Sequence, residues 1–68
     1  MEINLQALPD VKGKTLVEAT NMLANYGIST VRPTIVNGIP QIVTQDMRAD
    51  RLNVSTDKGL ISHVGRIG

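Results

Sequence analysis

The 68-residue sequence predicts an α+β fold: one amphipathic helix packed on a small β-sheet, with a long exposed loop between two of the strands. Three observations predict it. Leu16, Ala19, Leu23 and Tyr26 recur at helical spacing, with Glu18, Asn21 and Asn25 opposite them. Residues 28–36 are rich in β-branched side chains, and further on Leu52, Val54 and Thr56 alternate with Arg51, Asn53 and Ser55, the period of a half-buried strand. Between these stretches, residues 37–47 keep neither period yet retain Ile39, Ile42, Val43 and Met47. An exposed loop usually sheds such residues, so this one is expected to present them.

Each element has its own local cause. Ile3 and Leu5 alternate with Asn4 and Gln6, a short strand or an extended arm. Leu8-Pro9-Asp10-Val11 reads as a turn, because Pro9 disfavours helix at Leu8 and has no backbone donor. Thr15-Leu16-Val17-Glu18 fits a capping box that opens the helix, with about three turns to follow before Gly27 ends it. A strand is expected over 28–36, with Pro33 near its end or on an edge. A second is expected over 49–56, then a turn at Asp57-Lys58-Gly59 and a short antiparallel return over 60–64. Asn37-Gly38 competes with the loop, since it has the residues of a two-residue hairpin, although Pro40 weakens the second arm.

Composition narrows the function. Sixty-eight residues make one small domain, which buries only about 60% of its unfolded surface. There is no cysteine, so stability must come from packing, with Tyr26 the only aromatic. A net charge of +1 without a basic stripe or stacking aromatics disfavours nucleic-acid binding. No apolar run approaches the ~20 residues that cross a bilayer. The absence of an opening signal-peptide pattern is the expectation for a cytoplasmic protein, or for a secreted one whose signal has been removed.

Catalytic chemistry is poorly supplied. His63 is the single histidine, and nothing in the spacing sets Ser29, Ser55 or Ser62 beside it with a carboxylate. Asp46 and Asp50 admit an acid/base reading, but the plainer one is a loop carboxylate held by Arg51 and a solvated charge at the strand start. No metal cluster or phosphate-binding loop is legible, and no cofactor is expected. On the strand's polar face, Arg51 is placed to reach back to Thr44 and Asp46.

The same stretch carries a resemblance. Thr44-Gln45-Asp46-Met47-Arg48-Ala49-Asp50-Arg51-Leu52-Asn53-Val54 resembles the reactive-loop signature of the potato inhibitor I family of serine-protease inhibitors. The Arg51-Leu52-Asn53 form, followed by Asp57-Lys58-Gly59-Leu60-Ile61 and Gly68, is most similar to the family's small bacterial relatives. Gly13-Lys14-Thr15 and Glu18-Ala19 extend the likeness over nearly the whole chain. The resemblance implies that the strands at 28–36 and 49–56 run parallel in a mixed sheet, joined by the inhibitory loop. Parallel neighbours need a crossover of roughly a dozen residues, which 37–48 supplies. The loop counts slightly longer than the family's common form, an excess that a tight turn at Asn37-Gly38 would absorb.

The resemblance also implies a reactive bond, Gln45-Asp46, within a protease-binding loop of Ile42, Val43, Thr44, Gln45, Asp46, Met47 and Arg48. Arg51 matches the first of two supporting arginines on the following strand. Asn53 stands where plant and leech members carry the second, so half of the charged support is replaced by a neutral amide and a softer loop is expected unless Arg48 or the segment from Arg66 to Gly68 helps. Gln45 suits a broad subtilisin-like or chymotrypsin-like pocket better than one built around a buried Asp. The implied partner is therefore a serine protease, bound by a monomeric inhibitor that is not itself an enzyme.

A second resemblance competes over the first half. Leu8-Pro9-Asp10-Val11-Lys12-Gly13-Lys14-Thr15, with Glu18-Ala19, Leu23 and Gly27, is similar to the opening of PASTA domains, modules associated with cell-wall fragments, and fades after Val31. A third possibility is an interaction domain that keeps the inhibitor fold without the activity.

Overall fold

The helix starts where the capping signal places it. In the computed structural model, which describes residues 7–68, helix α1 spans Leu16–Leu23. Glu18 N–H donates to Thr15 Oγ1 at 3.2 Å, and Thr15 N–H donates to Glu18 Oε1 at 3.1 Å. Two otherwise free donors are thus satisfied reciprocally. The chain then tightens into a 3-10 turn, Ala24–Tyr26, and stops at Gly27, which takes φ 85°. That tightening moves Tyr26 off the apolar stripe, because a 3-10 turn holds three residues instead of 3.6. Tyr26 is consequently 48% exposed rather than part of the core face. The expected strand or arm around Ile3 and Leu5 lies outside the described residues.

Four strands follow: β1 Thr30–Val36, β2 Ile39–Pro40, β3 Arg51–Asp57 and β4 Leu60–Ile67. They form one mixed sheet in the order β2-β1-β3-β4, with β1 and β3 parallel and the outer pairs antiparallel. The first strand begins two residues later than the pattern suggested, since Ile28 is drawn into the core and Ser29 N–H closes on the Asp50 carbonyl at 2.8 Å. The last strand runs on past the expected Val64 to Ile67.

The competition at Asn37-Gly38 is resolved in favour of both readings. Asn37 and Gly38 take φ 51° and 79°, making a tight turn of the primed kind that folds only Ile39 and Pro40 back onto β1. Pro40 then ends the pairing and the loop begins. Lys58 and Gly59 repeat the same turn between β3 and β4. Lys58 N–H donates to Asn37 Oδ1 at 2.8 Å, which joins the two turns side by side.

The alternation in β3 gives the sheet two unlike faces. Leu52 and Val54, with Val31 of β1, are buried against Ala19 and Leu23 of the helix, and Val11, Ile28 and Ile61 complete this core. Arg51 and Asn53, with Arg32 of β1, point the other way, because Thr30 pairs with Arg51 and Arg32 with Asn53 in the parallel register. Two irregularities shape this second face. The β1–β3 register slips around Thr34, next to Pro33, whose ring nitrogen cannot donate. Thr34 Oγ1 donates to the Val54 carbonyl at 3.3 Å across that slip. In β4 the register slips between Val64 and Ile67, and a Cβ on Gly65 would stand 2.8 Å from the Asn53 carbonyl oxygen. Only glycine permits that approach.

Removing the cap tests this account of the helix. Thr15→Ala should cost about 1 kcal/mol of stability. In a domain of this size that lowers Tm by roughly 4–8 °C, measurable by circular dichroism. An unchanged melting curve would mean that the cap does not limit helix stability.

Candidate functional site

Residues 41–49 form an extended arch without regular structure, leaving the end of β2 and returning to the start of β3. Its ends are tied to the sheet. Gln41 N–H donates to the Thr34 carbonyl at 2.8 Å, one step beyond the last β1–β2 pair. At the far end the Asp50 carbonyl accepts from Ser29 N–H at 2.8 Å. Between these ties the apolar side chains are presented to solvent: Ile42 is fully exposed and Met47 is 80% exposed, while Val43 is half-buried. Gln45 is exposed at the middle of the arch. Among the described residues its side chain takes no hydrogen bond.

A buried guanidinium holds the arch from beneath. Arg51, on the polar face of β3, is only 7% exposed. Its Nη2 donates to the Asp46 carbonyl at 2.8 Å and to the Gly68 carbonyl at 2.9 Å, and Nε donates to the latter at 3.1 Å. Nη1 reaches an Asp46 carboxylate oxygen at 3.4 Å. Gly68 N–H returns a bond to the Arg51 carbonyl at 2.9 Å. Buried polar groups need such partners, and none of the described buried side-chain polar atoms lacks one. A Cβ on Gly68 would approach Asn53 Nδ2 to 3.4 Å, so a small residue suits this position.

Thr44 is held by a different residue. The expectation that Arg51 would span both Thr44 and Asp46 is corrected: Arg32 of β1 takes Thr44. Its Nη1 donates to Thr44 Oγ1 at 3.3 Å and to the Thr44 carbonyl at 3.4 Å. Asn53 does not touch the loop by a hydrogen bond. Its Oδ1 accepts from Arg32 Nε at 2.8 Å, and its Nδ2 donates to the Arg66 carbonyl at 3.0 Å. Arg32 escaped the sequence reading because it precedes the loop and faces Asn53 only through the parallel register. The one signal that pointed to it was a cation in a β-rich stretch next to a proline.

Arg48 supports the loop's return rather than its centre. Nε and Nη2 donate to the two Asp50 carboxylate oxygens, each at 3.1 Å, and the Ser29 hydroxyl donates to the same carboxylate. Asp50 is therefore a paired group and not the solvated charge expected at the strand start. These contacts, Arg48 first and Ser29 second, pull its carboxyl down to about 2. The Asp46 carboxyl is also lowered, by the Thr44 hydroxyl foremost and then by Arg51.

Beneath the arch is a cavity of about 240 Å³ lined by Arg32, Thr44, Asp46, Asn53 and Arg66, and also by Val43 and Met47. The loop's shape thus rests on directed hydrogen bonds from cations and not on an apolar core of its own. A wider concavity of about 640 Å³ lies at the other end of the sheet, beside Ile35, Ser55 and His63. There His63 Nδ1 is 3.4 Å from Ser62 Oγ, a hydroxyl already donated to the Ser55 carbonyl at 3.3 Å. Among the described residues no group of three His, Asp or Glu side chains is placed to hold a metal ion, and no helix is long and apolar enough to cross a membrane.

The chain matches no protein-family model, and comparison with curated proteins and with solved structures returns no match.

The depressed carboxyls set an acid limit for the site. A carboxyl lowered in the folded state contributes stability above its unfolded value and loses it as pH falls through its folded value. The tie at Asp50 should therefore persist from neutral pH to about pH 4 and disappear progressively as pH drops through about 2. Side-chain carboxyl shifts followed by NMR would show it. Titration of Asp50 in the usual carboxylate range would contradict the ion pair with Arg48.

Proposed function

We propose that the protein inhibits serine proteases by presenting residues 42–48 as a substrate that the enzyme cannot readily consume. The observation that carries this reading is the exposed arch gripped from below on both sides of Gln45, at Thr44 by Arg32 and at Asp46 by Arg51. An extended strand held open in this way is ready to pair along a protease cleft, where main-chain hydrogen bonds supply affinity and side chains supply selectivity. Since the shape precedes binding, little ordering entropy is lost on association. Gln45, exposed and without an internal bond, enters the primary pocket. Ile42 to Thr44 occupy the sites before it, and Asp46 to Arg48 those after it.

The tethers explain why such a loop inhibits instead of being digested. Attack of the enzyme's serine hydroxyl on the Gln45 carbonyl breaks the bond to Asp46 and forms an ester, with the proton passing to the Asp46 nitrogen. In an ordinary substrate that amine diffuses away and water completes hydrolysis. Here the Asp46 carbonyl and carboxylate stay bonded to Arg51. The amine remains against the ester at high effective concentration and re-forms the peptide bond. Gly68 braces Arg51 in turn, accepting two bonds from its guanidinium.

Incubation with a panel of serine proteases tests the reading, and slow, tight inhibition of a subtilisin-like or chymotrypsin-like enzyme is expected. Absence of inhibition across the panel would reject it, and binding to peptidoglycan fragments in its place would favour a cell-wall-binding module. Specificity should follow Gln45. Gln45→Lys should create or sharply improve trypsin inhibition, whereas Ile39→Lys, outside the arch, should not. If both variants keep the parent's target profile, the reactive bond is elsewhere.

Arg51 decides between inhibitor and substrate. Arg51→Met keeps much of the buried stem and removes the donors. Each lost charge-assisted bond contributes ~1.5–3 kcal/mol, so inhibition should weaken roughly 10- to 150-fold, mainly through faster dissociation. Chain cut after Gln45 should accumulate by mass spectrometry while the parent stays intact. Because Arg51 also holds Gly68, Tm should fall as well. A variant that resists cleavage as well as the parent would remove Arg51 from this role.

A further inference from the structure

We infer that Arg32 is a positioning residue for the acyl side of the reactive bond, with Asn53 as the group that aims it. The inference rests on the inhibitor reading above and adds a residue from the strand that precedes the loop. Two guanidinium groups from neighbouring parallel strands divide the arch between them. Arg51 of β3 binds Asp46, on the amine side of Gln45, while Arg32 of β1 binds Thr44, on the acyl side. The parallel register makes this division possible, because it sets Arg32 beside Asn53 on the face beneath the loop.

The geometry at Arg32 has the character of an aimed group. Nε is fixed on Asn53 Oδ1 at 2.8 Å, and Asn53 is itself fixed by the Arg66 carbonyl at 3.0 Å. With Nε held, the planar fork directs Nη1 to both oxygens of Thr44 and Nη2 toward the Gly68 carbonyl at 3.5 Å. A lysine has one nitrogen and cannot bond Asn53 and Thr44 in this fixed relation. The neutral amide at position 53 is thus no weaker copy of a supporting cation. It hands the support to a cation on the neighbouring strand. After cleavage the acyl side is held by Arg32 while the amine side is held by Arg51, so both new ends stay in register for religation.

Arg32→Lys and Asn53→Ala, alone and together, test the assignment in the free protein and in the complex. In the free protein, backbone NMR relaxation should show residues 43–45 becoming more mobile in either variant, with 46–48 little changed. A merely structural role would move both halves of the arch or neither. Against a protease that the parent inhibits, either variant should dissociate roughly tenfold faster, the order expected from one charge-assisted hydrogen bond. The double variant should be little worse than either single one, because Asn53 acts through Arg32. Unchanged order at 43–45 in Arg32→Lys, or fully additive effects of the two substitutions, would overturn the assignment. A parent that inhibits no protease would instead reject the functional reading, and the relaxation data would still decide whether Arg32 positions Thr44.

Discussion

The structure depends most on the Arg51 guanidinium beneath the loop. Three of its donor contacts go to main-chain carbonyls, one at Asp46 and two at Gly68, and Gly68 N–H bonds back to the Arg51 carbonyl. A charged group this far from water is costly to leave without partners. Every partner it needs is supplied by the arch or by the end of β4. Folding the sheet therefore creates a demand for acceptors at one spot, and the loop and Gly68 meet it. The arch and the buried cation thus satisfy each other.

That cation can sit there because the sheet has two unlike faces. Leu52 and Val54 face Ala19 and Leu23 of the helix within the apolar core that Val11, Ile28, Val31 and Ile61 complete. Arg51, Asn53 and Arg32 occupy the face that the helix does not cover. A crossover between parallel strands must pass over one face, and here it passes over the polar one. The helix stabilises the platform while the other face shapes the arch. Details of both edges serve the same end. The Thr34 carbonyl, opposite Gln41 as the β1–β2 hairpin continues, anchors the start of the arch, and Gly65 lets β4 approach Asn53 closely enough for the Arg66 carbonyl to fix its amide.

Without cysteine, a chain of this size has few ways to make a long loop rigid. Here the arch is held by a set of directed hydrogen bonds, many of them from arginines, around a cavity that Val43 and Met47 line together with the polar groups. Such bonds fix direction as well as distance, which matters where a backbone must keep one conformation while its side chains stay exposed. Arg48, Asp50 and Ser29 close the arch at its return in the same manner. Ile42 stands wholly in solvent, while Met47, though 80% exposed, turns its end toward Gly68 and lines the cavity.

The sequence by itself determined the helix and its cap, the apolar face of β3, the turn at Lys58-Gly59 and the position of the arch. These features depend on residues close in the chain: Thr15 with Glu18, Leu52 with Val54, and glycines where φ must be positive. Asn37-Gly38 was legible as a turn, though not as one that stops after two paired residues. Only the tertiary structure decided the rest of the site. Arg51 was legible as the cation beneath the loop, but alternation reports only which face a side chain takes, so neither its burial nor its bonds to the Gly68 carbonyl could be read from it. Asp50 read as solvated because its nearness to Arg48 in sequence does not say that the guanidinium turns back onto it, and Ser29, its second partner, joins it only when β1 and β3 come together. Arg32 was invisible for the same reason in its strongest form. It lies 12 residues before Thr44 and 21 before Asn53, and no local period relates them. The parallel register makes them neighbours, and that register is set by packing across the whole sheet.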